Sequence, residues 1–331
     1  MNYIRGEIKW GIIGVGNVCE VKSGPAFQRV EDSKLIAVMR RNLEKAKDYS
    51  IRHNVLRYYS DADQLINDPD INAIYIATPP LYHEEYALKA MISGKPVYIE
   101  KPVTINANGC ERLITASIKY KIPVSVAHYR RSLPLFKKIK GLLDEEILGR
   151  IRLILISMLQ SPSKNIIADT EDNWRIKPEI SGGGLFHDLA PHQLDLIFWY
   201  FGGPLKIKGS SINQGKKYNA PDIVKLEALF EDNMVLNGFW SFNAPEQAAE
   251  DSCTIIGERG QMKFSFFRDP VLTIDVDAAK EQFKFDIPKH IQEPHIARVV
   301  NFFKGNGENP CSLDDALESM KMIDSVRNSD L

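Results

Sequence analysis

The chain has 331 residues, 44% of them hydrophobic and 26% charged, the balance of a globular protein long enough for about two domains. Its 42 Lys+Arg against 43 Asp+Glu leave a formal charge of −1, which argues against nucleic acid or an anionic membrane as the main partner. No apolar run approaches the ~20 residues of a membrane span.

Residues 1–9 carry Arg5, Glu7 and Lys9 before a short apolar run, so no secretory signal is expected. Residues 8–13 read as a strand, followed by a glycine turn and a helix to about 30. Strands are then expected at 34–39, 55–58, 73–77, 97–99 and 123–127, with helices at 42–53, 62–67, 84–93 and 106–120 between them. Such alternation is the signature of parallel βαβ units. Residues 131–143 still read as a helix, but long strand candidates follow at 150–160, 206–213, 223–231, 234–242, 251–256, 262–266 and 272–276. Turns at 231–233 and 258–260 join two pairs of these as hairpins, and helices return at 291–303 and 313–326. The expected fold is α/β: a doubly wound parallel sheet over 1–128, then a second domain over 129–331 with a largely antiparallel open sheet. The dispersed cysteines Cys19, Cys110, Cys253 and Cys311 form no CxxC pair and read as reduced thiols of a cytoplasmic protein.

Gly14 and Gly16 follow the first strand, with Asn17 and Val18 opening the next helix. Gly14 permits a tight turn, and Gly16 lets backbone approach a pyrophosphate at the helix N-terminus. Cys19 stands where the third glycine of GxGxxG is usual, and its small side chain still permits close packing. A chain that binds NAD carries an acidic residue at the end of the second strand for the ribose 2′-hydroxyl. Arg40 and Arg41 occupy that place here. A guanidinium pair matches a 2′-phosphate in charge and in fork geometry, so NADP(H) is favoured over NAD(H).

Three further segments carry a resemblance: Ala77-Thr78-Pro79-Pro80-Leu81-Tyr82-His83, Glu100-Lys101-Pro102, and Gly182-Gly183-Gly184 followed by Asp188 and His192. Together with the glycine turn they are similar to the Gfo/Idh/MocA family of oxidoreductases, over essentially the whole chain. The resemblance implies a dinucleotide-binding Rossmann domain followed by a substrate-binding and oligomerisation domain. It implies that Thr78, Pro79, His83 and Glu100 line the coenzyme channel. It also implies that Lys101 touches both the nicotinamide ribose and the reacting oxygen, where a cation stabilises developing alkoxide charge. Asp188 and His192 are spaced i, i+4 and share a face if that segment is helical. By resemblance they are the substrate-site acid and the catalytic histidine, and imidazole suits proton exchange near neutral pH. Asp195 reads as structural. Trp174-Arg175 matches a pair that meets the coenzyme in one branch of the family. Tyr129 and Arg131, after the sixth strand, are candidates for sugar hydroxyl contacts, with an interdomain salt bridge as the alternative.

His187 and His192 diverge on a helix, so no metal site is expected. The function expected is hydride transfer to or from a carbinol or carbonyl carbon of a sugar, anhydro-sugar or cyclic polyol. Two alternatives are transient oxidation by a tightly held coenzyme during glycoside elimination or hydrolysis, and a non-catalytic coenzyme sensor. An open sheet face bearing Lys225, Glu227, Ala228, Phe239, Trp240 and Phe242 suggests a homodimer or homotetramer. The pocket is expected to be shaped by the loop at 161–174.

Overall fold

The computed structural model describes residues 1–162 and 173–327, so 163–172 of the expected pocket loop lie outside the described residues. The chain divides into two compact units, Met1–Ser132 with Pro288–Leu317 and Leu133–Ile287 with Glu318–Leu331.

The first unit opens with β1 (Ile8–Ile13), α1 (Asn17–Val21), β2 (Ser33–Met39), α2 (Leu43–Arg52), β3 (Arg57–Tyr59) and α3 (Ala62–Ile66). It continues with β4 (Ala73–Ile76), α4 (His83–Ile92), β5 (Val97–Ile99), α5 (Ala107–Tyr120) and β6 (Val124–Val126). The six strands pair in parallel in the order β3-β2-β1-β4-β5-β6. β4 and β5 are buried at every residue, as strands covered on both faces must be. Strand order reverses between β1 and β4, and ligands bind outside the carboxyl ends of strands at such a switch point. The glycine turn, Arg40-Arg41, Thr78-Pro79 and Glu100-Lys101 all follow carboxyl ends of these strands.

The single helix expected over 17–30 is instead α1 and a separate 3-10 turn, Gly24–Gln28. Pro25 has no N–H to donate to the Val21 carbonyl, so the α-helical ladder cannot run on, and Pro25 sits instead in the first turn of the 3-10 segment. Residues 42–53 hold more closely to expectation, because Asn42 caps α2 by accepting from the Lys45 amide at 3.0 Å.

The second unit contains α6 (Pro134–Asp144), β7 (Ile151–Leu159), α7 (Pro178–Ser181), α8 (Leu185–Phe201), β8 (Lys206–Ile212), β9 (Ile223–Leu229) and β10 (Val235–Ser241). It adds β11 (Glu250–Gly257), β12 (Gly260–Phe264), β13 (Val271–Val276) and β14 (Ala279–Lys284). The sheet order is β14-β13-β12-β11-β7-β10-β9-β8, antiparallel except for the β7–β10 pair. No strand was expected at β14. Its connection to β13 is a two-residue turn, Asp277-Ala278, with φ of 49° and 66°. That geometry normally advertises itself by Asn-Gly or Asp-Gly, and β14 itself shows no buried alternation.

α9 (Glu293–Phe303) follows β14, and α10 (Leu313–Arg327) runs across the division between the units. Residues 288–317 group with the first unit rather than with the domain expected over 129–331. Ile296, Val299, Val300 and Phe303 of α9 join the buried cluster around Trp10. Trp10 lies 4.8 Å from Phe27 and 5.7 Å from Phe303, ring to ring. Each such aromatic withdraws ~150–250 Å² from water, roughly 4–6 kcal/mol at ~25 cal/mol per Å².

The open sheet face differs from expectation in one respect. Ala228, Trp240 and Phe242 are buried on the other side, with Trp240 edge-on to Phe186 at 5.1 Å and donating to Gln193 Oε1 at 2.6 Å. Strand alternation leaves Phe239 exposed, together with Leu155 and Val235.

Candidate functional site

At the β1 end, the amides of Gly14 and Val15 both donate to the Met39 carbonyl, at 2.9 and 3.2 Å, which ties the glycine turn to β2. Gly14 has φ of +97°, and a Cβ there would lie 2.8 Å from the Thr78 amide nitrogen. Only glycine satisfies both conditions. A Cβ on Gly16 would meet nothing within 4 Å, so that side of the turn is open space. Cys19 is fully buried beneath it, and its carbonyl accepts from the Tyr49 hydroxyl at 2.9 Å. The small thiol thus performs the packing role of the missing third glycine. Thr78 Oγ1 is buried without a hydrogen-bond partner among the described residues. A tight turn, an open face and an orphaned hydroxyl beside it fit a pyrophosphate-bearing coenzyme, which Asn17 and Val18 at the start of α1 would also meet.

Arg40 and Arg41 leave the end of β2 in different directions. Arg40 Nη1 donates to the Val15 carbonyl in the glycine turn at 3.2 Å. The Arg41 guanidinium lies over the Tyr82 ring, 5.4 Å from its centroid. Neither guanidinium has a carboxylate partner among the described residues.

Lys101 is held from both sides. Before it, the buried Glu100 carboxylate accepts from Tyr75 Oη and Gln292 Nε2, each at 2.6 Å, and its second oxygen accepts from the Lys101 amide at 3.2 Å. After it, the Pro102 carbonyl lies 2.9 Å from His83 Nδ1, while His83 Nε2 lies 2.7 Å from the Thr78 carbonyl. His83 is completely buried and braces the loops after β4 and β5 against each other. Tyr75 and Gln292 carry no sequence signal that ties them to this site. They lie 25 and 192 residues from Glu100, and no local pattern connects them.

Tyr129 and Arg131 sit in a buried 3-10 turn after β6. Arg131 Nη1 approaches Asp315 Oδ2 at 3.3 Å, so its charge is matched within the first unit. Burial, and then the positive charges of Arg131 and Lys101, hold the neighbouring His128 imidazole well below its usual range.

In the second unit, α8 carries Asp188, His192 and Asp195 at helical spacing, all buried. Gly184 caps the helix at its N-terminus; its φ is +82° and an added Cβ would lie 2.3 Å from Ala220 Cβ. Asp188 Oδ2 accepts from Arg175 Nε at 3.1 Å, and the Arg175 guanidinium stacks 4.5 Å over Trp174. The structure therefore brings together Trp174, Arg175 and Asp188. Arg175 Nη1 is buried with no partner among the described residues, a donor available to a ligand. His192 meets the edge of Phe267 at 5.8 Å. Asp251 fixes that loop by accepting from the amides of Phe266, Phe267 and Arg268 at 3.2, 2.6 and 3.1 Å. Neither Asp251 nor Phe267 carries a sequence signal that would have found it.

The buried histidines set an acid limit on stability. Burial pushes His83 down to about 4 against the pull of its carbonyl neighbours, and pushes His295 down to about 3. In the unfolded chain both take a proton near the usual 6.5, so the unfolded state binds protons first as pH falls. Stability is complete above about 6.5 and declines from there toward 4, by roughly 2 kcal/mol per histidine at pH 5. Urea unfolding at pH 7 and pH 5 checks this: the midpoint should fall, and fall less in His83→Gln. An equal fall in both proteins would show that His83 does not contribute.

All four cysteines are buried and none is in a disulfide. No helix among the described residues is long and apolar enough to cross a membrane.

Residues 8–128 match the family model "Oxidoreductase family, NAD-binding Rossmann fold", and 136–263 match "GFO/IDH/MocA C-terminal domain". An oxidoreductase of Formosa agariphila is 44% identical over 97% of this chain and 98% of its own. A trans-1,2-dihydrobenzene-1,2-diol dehydrogenase of Xenopus tropicalis is 26% identical over 90% of this chain and 85% of its own. The crystal structure of an aldose-aldose oxidoreductase from Caulobacter crescentus, complexed with glycerol, has the same fold. It superposes with a TM-score of 0.84 at 20% identity, covering 97% of this chain and 96% of that one.

Proposed function

The chain belongs to the Gfo/Idh/MocA oxidoreductase family and is a dehydrogenase/reductase with an NAD(P)-binding Rossmann fold; from that premise we propose that it uses NADP(H) and acts on a carbinol or carbonyl carbon of a sugar, anhydro-sugar or cyclic polyol. The observation that carries the coenzyme assignment is the pair of guanidiniums at the β2 end. One is anchored on the glycine turn and one on Tyr82, and neither is neutralised by a carboxylate among the described residues. The substrate class is supported by the diol and aldose named for the two similar proteins.

Gly14, Gly16, Asn17, Val18, Thr78 and Pro79 would hold the coenzyme, which supplies hydride transfer at nicotinamide C4 when bound. The remaining chemistry belongs to the chain. Lys101, with its backbone braced by Glu100 and His83, donates from its ammonium to the reacting oxygen and stabilises negative charge there. His192 exchanges the hydroxyl proton, its ring positioned by Phe267. Asp188 accepts from substrate hydroxyls, and Arg175 limits the cost of keeping that carboxylate charged and buried. The exposed Leu155, Val235 and Phe239 give the open sheet face apolar area for pairing with a second copy, in a homodimer or homotetramer. Four buried thiols without a disulfide suit the cytoplasm.

Fluorescence titration with NADPH and NADH tests the coenzyme assignment. Wild type should bind NADPH more tightly. Arg40→Asp should weaken NADPH about a hundredfold or more, having exchanged an attractive contact of ~1.5–3 kcal/mol for repulsion, and should spare NADH. Equal affinity of wild type for the two nucleotides would refute the assignment.

A further inference from the structure

Arg41 is an exposed arginine at a strand end, and such a side chain ordinarily samples many rotamers. Here its guanidinium lies 5.4 Å from the centroid of the Tyr82 ring, within the range of a cation–π contact. The platform beneath it is rigid. Tyr82 closes the 3-10 turn Pro80–Tyr82, its amide donating to the Pro79 carbonyl at 3.0 Å. The next residue is His83, buried and held between the Thr78 and Pro102 carbonyls. Tyr86, one helical turn on, lies 6.4 Å from Tyr82, ring to ring.

Carboxylates on the same helix do not compete for Arg41. Glu84 is taken by Arg112, with Nη2 to Oε2 at 2.8 Å. Glu85 is taken by Lys89 at 3.1 Å. A cation–π contact leaves the N–H edges of the guanidinium available, whereas a carboxylate would occupy them.

We propose that Tyr82 is a specificity-determining residue: it holds the Arg41 guanidinium in place for the 2′-phosphate of NADP(H) and thereby sharpens discrimination against NAD(H). This rests on the coenzyme reading above. The physical gain is pre-organisation, because the rotamer freedom of a long cationic side chain is surrendered before the ligand arrives. A 2′-phosphate is the one group that separates the two nucleotides, so a contact that serves Arg41 alone would act on their difference and leave their shared parts alone.

The test is a set of NADPH and NADH titrations on wild type, Tyr82→Leu, Tyr82→Phe and Arg41→Leu, with the Arg41→Leu/Tyr82→Leu double variant. Removing the ring should weaken NADPH about two- to fivefold, the worth of a surface cation–π contact, and leave NADH unchanged. Tyr82→Phe keeps a π face and should bind both nucleotides as wild type does. In the Arg41→Leu background the second substitution should add nothing. Should Tyr82→Leu fail to fold, Tyr82→Gln removes the ring equally. Unchanged NADPH affinity, an equal loss for both nucleotides, or a full additional loss in the double variant would each overturn the role given to Tyr82. Wild type that fails to prefer NADPH would bring down the coenzyme reading itself, and that outcome is read from the unmutated protein alone.

Discussion

Lys101→Met should lower turnover about several hundredfold while changing nucleotide affinity little. The substitution keeps the length and apolar stem of the side chain but removes the ammonium. A charge placed where an oxyanion develops lowers the barrier by ~3–4 kcal/mol, since it does not have to reorganise during the reaction. The position supports that role. β5 ends at Ile99, and the next three residues are pinned by Tyr75, Gln292 and His83 through Glu100 and Pro102. A residue held so firmly at a strand carboxyl end, in an interior hydrogen-bond network, is poised to place one group accurately. Steady-state kinetics on any accepted sugar or polyol, beside nucleotide titration, would check the result. Turnover within tenfold of wild type would remove Lys101 from the chemistry.

Gly14→Val should abolish nucleotide binding and lower stability by several kcal/mol. Two independent penalties fall on this position. A β-branched residue at a φ of +97° is strained whatever the space around it, and the new Cβ would overlap the Thr78 amide nitrogen at 2.8 Å and the Ala77 carbonyl carbon at 2.9 Å. Both atoms are backbone and cannot swing aside, so the β1 and β4 loops must separate. Gly16→Ala is the contrasting case. Its Cβ meets nothing within 4 Å, so the protein should melt as wild type does and lose affinity only because the methyl group occupies space the pyrophosphate needs. Thermal melting and titration of both variants distinguish the two effects. Normal binding by Gly14→Val would contradict the assignment of this turn.

Much of this site was legible because its signals are local. A glycine that needs positive φ, a pair of arginines after β2, and acid and histidine four apart on α8 are each contained in a few residues. The Rossmann alternation was legible for the same reason: buried runs between amphipathic helices recur along the first 128 residues. The losses came where one residue or a distant partner decided the outcome. Pro25 split the first helix, and the unadvertised Asp277-Ala278 turn hid β14. The return of α9 to the Trp10 cluster depends on apolar packing across nearly the whole chain length, which periodicity does not encode. The braces around the site share that property. Gln292 reaches Glu100 and Asp251 cradles the loop bearing Phe267, in each case through hydrogen bonds that tertiary structure alone creates. On the second sheet, grouping Phe239 with Trp240 and Phe242 on one face overlooked strand alternation, which exposes Phe239 and turns Trp240 to the opposite, buried side.

Hydride transfer between a nicotinamide coenzyme and a carbinol carbon leaves an isotopic record. NADPH carrying deuterium at nicotinamide C4, prepared as each of the two epimers, can be incubated with the protein and a panel of ketoses, anhydro-sugars and cyclic polyol ketones. One epimer should deliver deuterium to a carbinol carbon of a product, detected by mass spectrometry and NMR, the other should not, and Lys101→Met should deliver none. Product formed without label from either epimer would rule out hydride transfer from the nicotinamide.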